Sequence, residues 1–204
     1  MSNIKNYGDN KLLFLDLSTN CCGWTVASQH IGKKEMTIHK TGVLWFNPKW
    51  DHGEKYNYVD KFIANIAYVC YGIEGIVAEG YMVNRKRMCG VLVIPEMTGS
   101  VKSICHELEP PLTFDSLLPQ SWRSILGIKK DRTKAGSAAW KAPAKKHVDK
   151  LFPKRIPDKL VSNITQKERA TPTDLYDSLC LALAWFTADP NNCKSFKMDK
   201  DALK

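Results

Sequence analysis

The sequence predicts an α/β fold, a mixed sheet of five strands flanked by helices. Three apolar segments near the N-terminus (12–16, 23–28 and about 37–46) are joined by links too short for a crossover, the pattern of an antiparallel meander. An amphipathic helix then precedes another short apolar run, so that run can return to the sheet parallel to the first strand. The most apolar helix comes late, ending near Phe186, and supplies a covering layer. A length of 204 residues suits one domain, 1–204, with a leader at 1–10 and a flexible tail at 190–204.

The first strand reads Leu-Leu-Phe-Leu-Asp and finishes on Asp16. An unpartnered charge at the edge of a core is costly, so Asp16 needs an Arg, a helix N-terminus or a metal ion beside it. After the turn-rich stretch 47–53, Tyr58, Val59, Phe62, Ile63, Ile66, Ala67 and Cys70 recur at helical spacing, and Gly72 closes that helix. Gly75-Ile-Val-Ala-Glu79 is the second apolar run that ends on a carboxylate. Set parallel to the first strand, about 4.8 Å away, it brings Glu79 and Asp16 to one end of the sheet, where open α/β sheets carry their ligand sites.

Residues 85–108 predict a long helix with an apolar stripe of Met97, Val101, Ile104 and Leu108. Pro95 is expected to kink or divide it, because an interior proline costs about 3 kcal/mol. A fifth strand follows at 111–118, then a short helix at 120–126 that carries Trp122 and Arg123. A helix is expected at 140–152 with Pro143 in its first turn, and an irregular stretch at 156–171. Thr171 is the expected N-cap of the last helix and Pro172 its first residue, with Asp189-Pro190 marking the end.

Composition narrows the class of function. A net charge of +9 favours a polyanionic partner, nucleic acid or an anionic membrane surface. No stretch approaches the roughly 20 apolar residues of a membrane span, and the N-terminus lacks a signal peptide's apolar region. A soluble, cytoplasmic protein without a membrane partner is therefore expected. The seven cysteines are odd in number and form no C-x-x-C pair, which fits reduced thiols rather than disulfides or zinc. The five histidines show no ligand spacing.

Asp174 and Asp177 lie three apart, on one face of the last helix. Asp174 alone could complement the helix dipole, and Asp16 alone could be a turn residue. Taken together, two acids at strand ends and two on a helix face make an oxygen-only cage suited to Mg²⁺, with Mn²⁺ as a substitute. Two such ions about 3.5–4 Å apart can clamp an in-line phosphodiester displacement. Without a cation the four would repel and titrate upward. Asp16, Glu79, Asp174 and Asp177 are thus the candidate metal ligands and catalytic residues.

The segment 129–155 holds ten Lys/Arg against two acids. Lys129, Lys130, Arg132, Lys134, Lys141, Lys145 and Lys146 fit contact with a phosphate backbone, which is electrostatic and insensitive to sequence. Arg85, Lys86 and Arg87, just beyond the second acid, and Arg123 complete the candidate DNA-contacting cations.

These residues resemble a family. The D-x-S-x-x-x-x-G-W pattern from Asp16 to Trp24, the I-V-x-E strand ending at Glu79, the K-x₃-K-K-x-V run from Lys141 to Val148 and the D-x-x-D opening the last helix look like RuvC-type Holliday-junction resolvases. The resemblance spans residues 11–187, and the small size looks more like the virus-encoded branch. It implies a ribonuclease H-like fold and a Mg²⁺-dependent crossover junction endodeoxyribonuclease. It also implies a homodimer that nicks four-way DNA junctions symmetrically and leaves 5′-phosphate ends. The aromatic residue that many members carry after the second acid corresponds to Tyr81, a candidate DNA contact.

Three rivals stand beside this reading. Actin-like sugar kinases share the opening strand–Asp–Ser turn, but they need two such domains. A nuclease of the same fold acting on flaps, forks or RNA–DNA hybrids shares the acids. A non-catalytic DNA-binding module would use them as caps and turns.

Overall fold

The structure is a computed structural model that describes residues 11–30, 33–81, 93–136, 138–188 and 193–203. In chain order the elements are β1 (Lys11–Leu17), β2 (Cys21–His30), β3 (Glu35–Trp45), α1 (His52–Val69), β4 (Ile73–Glu79), α2 (Val93–Glu107), β5 (Thr113–Leu117), α3 (Pro119–Ile125), α4 (Ala138–Leu151), β6 (Lys159–Val161), β7 (Glu168–Ala170), α5 (Thr173–Ala188) and β8 (Ser195–Met198). Six strands form one mixed sheet in the order β5-β4-β1-β2-β3-β8, and β6 and β7 form a separate antiparallel hairpin. The expected meander β1-β2-β3 is antiparallel, and β4 returns parallel to β1 with Leu15 opposite Ala78.

Alternation along the strands sorts the core into two layers. Leu12, Phe14 and Val77 face α5, Trp122 of α3, and Ala144 and Val148 of α4. Leu13, Leu15, Ile76 and Ala78 face Val59, Ile63 and Ile66 of α1 and Met97, Val101 and Cys105 of α2. Residues 175–186 of α5 are buried all round, as a wholly apolar helix requires. Phe186 meets Phe14 edge-on, with ring centroids 5.6 Å apart. No helix among the described residues is long and apolar enough to cross a membrane.

The structure corrects several expectations. The sheet has six strands, because part of the expected tail forms β8, parallel to β3. The Thr41 N–H donates to the Ala202 carbonyl and the Asp199 N–H to the Ile38 carbonyl. A side-chain chain reinforces this edge, with Ser28 Oγ 2.8 Å from His39 Nε2 and His39 Nδ1 3.1 Å from Asp199 Oδ2. Within the stretch expected to be irregular, β6 and β7 pair. Pro95 is the third described residue of α2, and from there the helix runs undivided to Glu107. Its expected first eight residues lie outside the described residues.

Helix α4 starts two residues earlier than expected, which puts Pro143 in its interior rather than its first turn. The carbonyl that Pro143 leaves without a helical donor belongs to Ala139, and the Asp131 N–H donates to it at 2.8 Å. Thr171 does not cap α5; its hydroxyl donates to the Pro157 carbonyl, and the helix begins at Thr173. Helix α1 begins six residues before the apolar stripe that predicts it. Asp51 and Glu54 form a reciprocal capping box there, each side chain accepting the other's backbone N–H at 2.8 Å.

Candidate active site

Asp16 is one rung beyond the Leu15–Ala78 pair, and Glu79 is the next residue of β4, so both stand at the same end of adjacent parallel strands. Strand alternation puts them on the face of Leu12, Phe14 and Val77, the face that α5 covers. Helix α5 is carried in close at its first turn. A Cβ on Gly23 of β2 would lie 2.0 Å from the Asp174 carbonyl oxygen, so only glycine lets the helix start there. We expect Gly23→Ala to cost about 1–3 kcal/mol through overpacking, a melting temperature lower by about 2–12 °C, read by calorimetry. A shift of about 1 Å in the two α5 carboxylates should also cost about a hundredfold in any activity they carry.

The four acids act on one another. Asp16 is 5% exposed and Asp177 8% exposed. Burial first, and then the charges of Glu79, Asp177 and Asp174, hold Asp16 well above the usual carboxylate range. A hydrogen bond joins it to Glu79, with protonated Asp16 as donor. Burial also raises Glu79, against the opposing effects of the Trp122 and Asp16 hydrogen bonds and the Arg123 charge. Asp177 is pushed up to about 7 by burial and the Glu79 charge, while Arg123 and Lys141 pull it back.

Two partners orient the cluster that sequence reasoning did not assign. The indole N–H of buried Trp122, on α3, donates to Glu79 Oε1 at 2.8 Å. The Cys21 thiol donates to Asp174 Oδ2 at 3.4 Å, and burial pushes that thiol up to about 12, so it stays protonated. A buried Trp needs an acceptor and was visible in the sequence; that the acceptor is Glu79 depends on how α3 returns after β5. The six described cysteines are unbridged.

As placed, no three His, Cys, Asp or Glu side chains among the described residues converge as a ready metal-ligand set. Glu79 gives an oxygen to Trp122, Asp174 gives one to Cys21, and Asp16 is turned to Glu79. The donor chemistry nevertheless suits a hard divalent cation. Four carboxylates, two buried and two half-buried, share one end of the sheet, and three of them are shifted towards the protonated form by burial and by repulsion from neighbouring acids.

Cations surround the acids unevenly. The Arg123 guanidinium lies against Trp122 and Trp140, 4.7 and 5.0 Å from their ring centroids. Lys141 is half-buried and near enough to act on Asp177. Lys129, Lys130, Arg132, Lys134 and Lys146 are exposed, and Lys134 lies 3.9 Å from Asp131. Lys145 is committed internally: it donates to Tyr176 Oη at 2.7 Å and pairs with Asp149 at 3.2 Å. Tyr81 follows the second acid and is 43% exposed. Arg85, Lys86 and Arg87 lie outside the described residues.

No protein-family model and no curated protein sequence matches the chain. Solved structures do match in fold. Thermus thermophilus RuvC is similar with a TM-score of 0.60 and 16% identity over 90% of this chain and 98% of that one. The same protein in complex with a Holliday junction substrate gives 0.57 and 13%, over 88% and 94%. The yeast mitochondrial Holliday junction resolvase Ydc2 gives 0.52 and 17%, over 88% and 79%. The chain therefore has the RuvC-like form of the ribonuclease H-like fold, with β8 as a sixth strand.

Proposed function

We propose that this chain is a metal-dependent endonuclease that resolves four-way DNA junctions, with Asp16, Glu79, Asp174 and Asp177 holding two Mg²⁺ ions. The single observation that carries the reading is the meeting of these four acids, drawn from β1, β4 and α5, at one end of the sheet in a chain of net charge +9. The junction as target follows from the likeness to Thermus thermophilus RuvC and yeast Ydc2 in fold. Symmetric nicks, 5′-phosphate ends and a homodimer belong to the same proposal.

When bound, paired Mg²⁺ ions supply an activated water and neutralise charge on the leaving oxygen. The chain's own residues prepare the place. Trp122 fixes the orientation of Glu79, and Cys21 does the same for Asp174. Arg123, packed against two indoles, and Lys141 put positive charge beside Asp177 and draw a phosphate towards the carboxylates. The exposed cations of 129–134 and Lys146 hold backbone phosphates without reading bases. Lys145, tied to Tyr176, serves this surface by stiffening the α4–α5 contact.

The test is cleavage of a labelled four-way junction, a flap and an RNA–DNA hybrid under matched Mg²⁺. Wild type is expected to nick the junction fastest. Asp177→Asn is expected to lose at least a thousandfold in cleavage while still binding the junction. Cleavage by Asp177→Asn at the wild-type rate refutes the site, and faster cleavage of the flap or hybrid refutes the target.

A further inference from the structure

A cleft of about 260 Å³ opens beside the β1–β2 turn, lined among others by Thr19, Asn20, Trp45, Lys55 and Arg169. Thr19 is three residues past Asp16. Trp45 ends β3 opposite Cys21 of β2, so the cleft lies two strand spacings, about 10 Å, from the strand that carries Asp16. It extends towards β3, away from the β4–β5 side of the sheet that leads into α3 and the basic segment.

Its chemistry is built rather than incidental. The Arg169 guanidinium lies 5.3 Å from the Trp45 ring centroid. Lys55 Nζ donates to the Thr19 carbonyl at 3.0 Å. The hairpin that carries Arg169 is pinned by Asn163, whose Oδ1 accepts from the Trp45 N–H at 2.9 Å and whose Nδ2 donates to Tyr58 Oη at 2.7 Å. The Trp45 indole N–H is buried without an acceptor among the described residues. The lining contains no carboxylate, and neither Lys55 nor Arg169 forms an ion pair among the described residues.

We propose that this cleft is a second DNA-contact site, separate from segment 129–155, which holds the sugar–phosphate backbone of the strand running from the acidic cluster. This rests on the endonuclease reading above. Two cations with no acid, beside an indole and at the same end of the sheet as the carboxylates, match an anionic strand with flat bases. The offset of about 10 Å keeps the contact within a few nucleotides of the scissile bond.

The experiment is binding of a fluorescent four-way junction to the full chain in Ca²⁺ across a salt series. The double variant Lys55→Gln/Arg169→Gln is expected to bind roughly tenfold more weakly at 150 mM salt, with the log–log salt slope shallower by about 1–2. Lys55→Arg is expected to bind like wild type. Should the double variant unfold, Arg169→Gln alone is measured, with a slope shallower by about 1. A wild-type slope in the glutamine variants overturns the cleft, as does weaker binding at unchanged slope. A wild-type chain that binds no junction overturns the endonuclease reading instead.

Discussion

Replacing Asp16 by asparagine is expected to abolish junction nicking and, in the same preparation, to make the chelated protein more stable. Asp16 is held above the carboxylate range first by burial and then by three neighbouring acids. At pH 8 wild type must either bury that charge or keep it protonated against the solution, and each course costs free energy. Asparagine removes the ionisation, and its amide N–H replaces the proton that Asp16 donates to Glu79. Relief of about 2 kcal/mol is expected when a carboxyl buried among like charges loses its ionisation, which for this chain length is a melting temperature higher by about 4–8 °C. On the proposed reading Asp16 is a metal ligand, and its loss should lower cleavage by at least about a thousandfold. Calorimetry in EDTA and a single-turnover junction assay read the two effects separately. A lower melting temperature would mean that the ionised Asp16 carboxylate is stabilised within the folded chain and would remove the case for a cation.

How much of this was written in the sequence depends on the range of the interaction involved. Strand alternation is local, so the pattern that buries Phe14 also shows which way Asp16 points, and Val77 does the same for Glu79. Helical spacing put Asp174 and Asp177 on one face. The capping box at Asp51 was equally local, and it lay outside the apolar stripe used to find α1. What stayed hidden is non-local. Strand β8 has two inward residues, Phe196 and Met198, and depends on Asp199 reaching Ile38 and His39 across the sheet. The commitment of Lys145 to Tyr176 needs α4 packed on α5, and a basic run by itself does not distinguish a tied lysine from a free one. Pro143 sits inside a helix because Asp131, in the preceding loop, takes over the vacated carbonyl. The hairpin β6–β7 is three residues per strand, too short for alternation to register.

The metal-free chain should lose stability as pH rises from about 4 to about 7, and a divalent cation should cancel that loss. Asp177 titrates near 7 in the folded chain against 3.8 when unfolded. Between those values the folded state therefore binds more protons than the unfolded one, and its advantage, full below about 4, is gone above about 7. Asp16 and Glu79 are raised as well and act with the same sign. Other groups blur a single melting curve. Asp60 is raised by burial and adds to the decline. His39 and His147 are lowered by burial and oppose it, because stability they give is lost as pH falls through their range. A double comparison removes them: wild type against Asp177→Asn, each in EDTA and in Ca²⁺, from pH 4 to 8. The EDTA curve of Asp177→Asn should fall less steeply than that of wild type. On the proposed reading Ca²⁺ goes to the ionised cluster, so it should raise the wild-type melting temperature by several degrees at pH 7.5, little at pH 5, and much less in the variant. Parallel curves for the two proteins in EDTA would show that Asp177 titrates normally. A Ca²⁺ effect independent of pH would put the cation on other ligands, and the carboxylate end of the sheet would lose its claim to the chemistry.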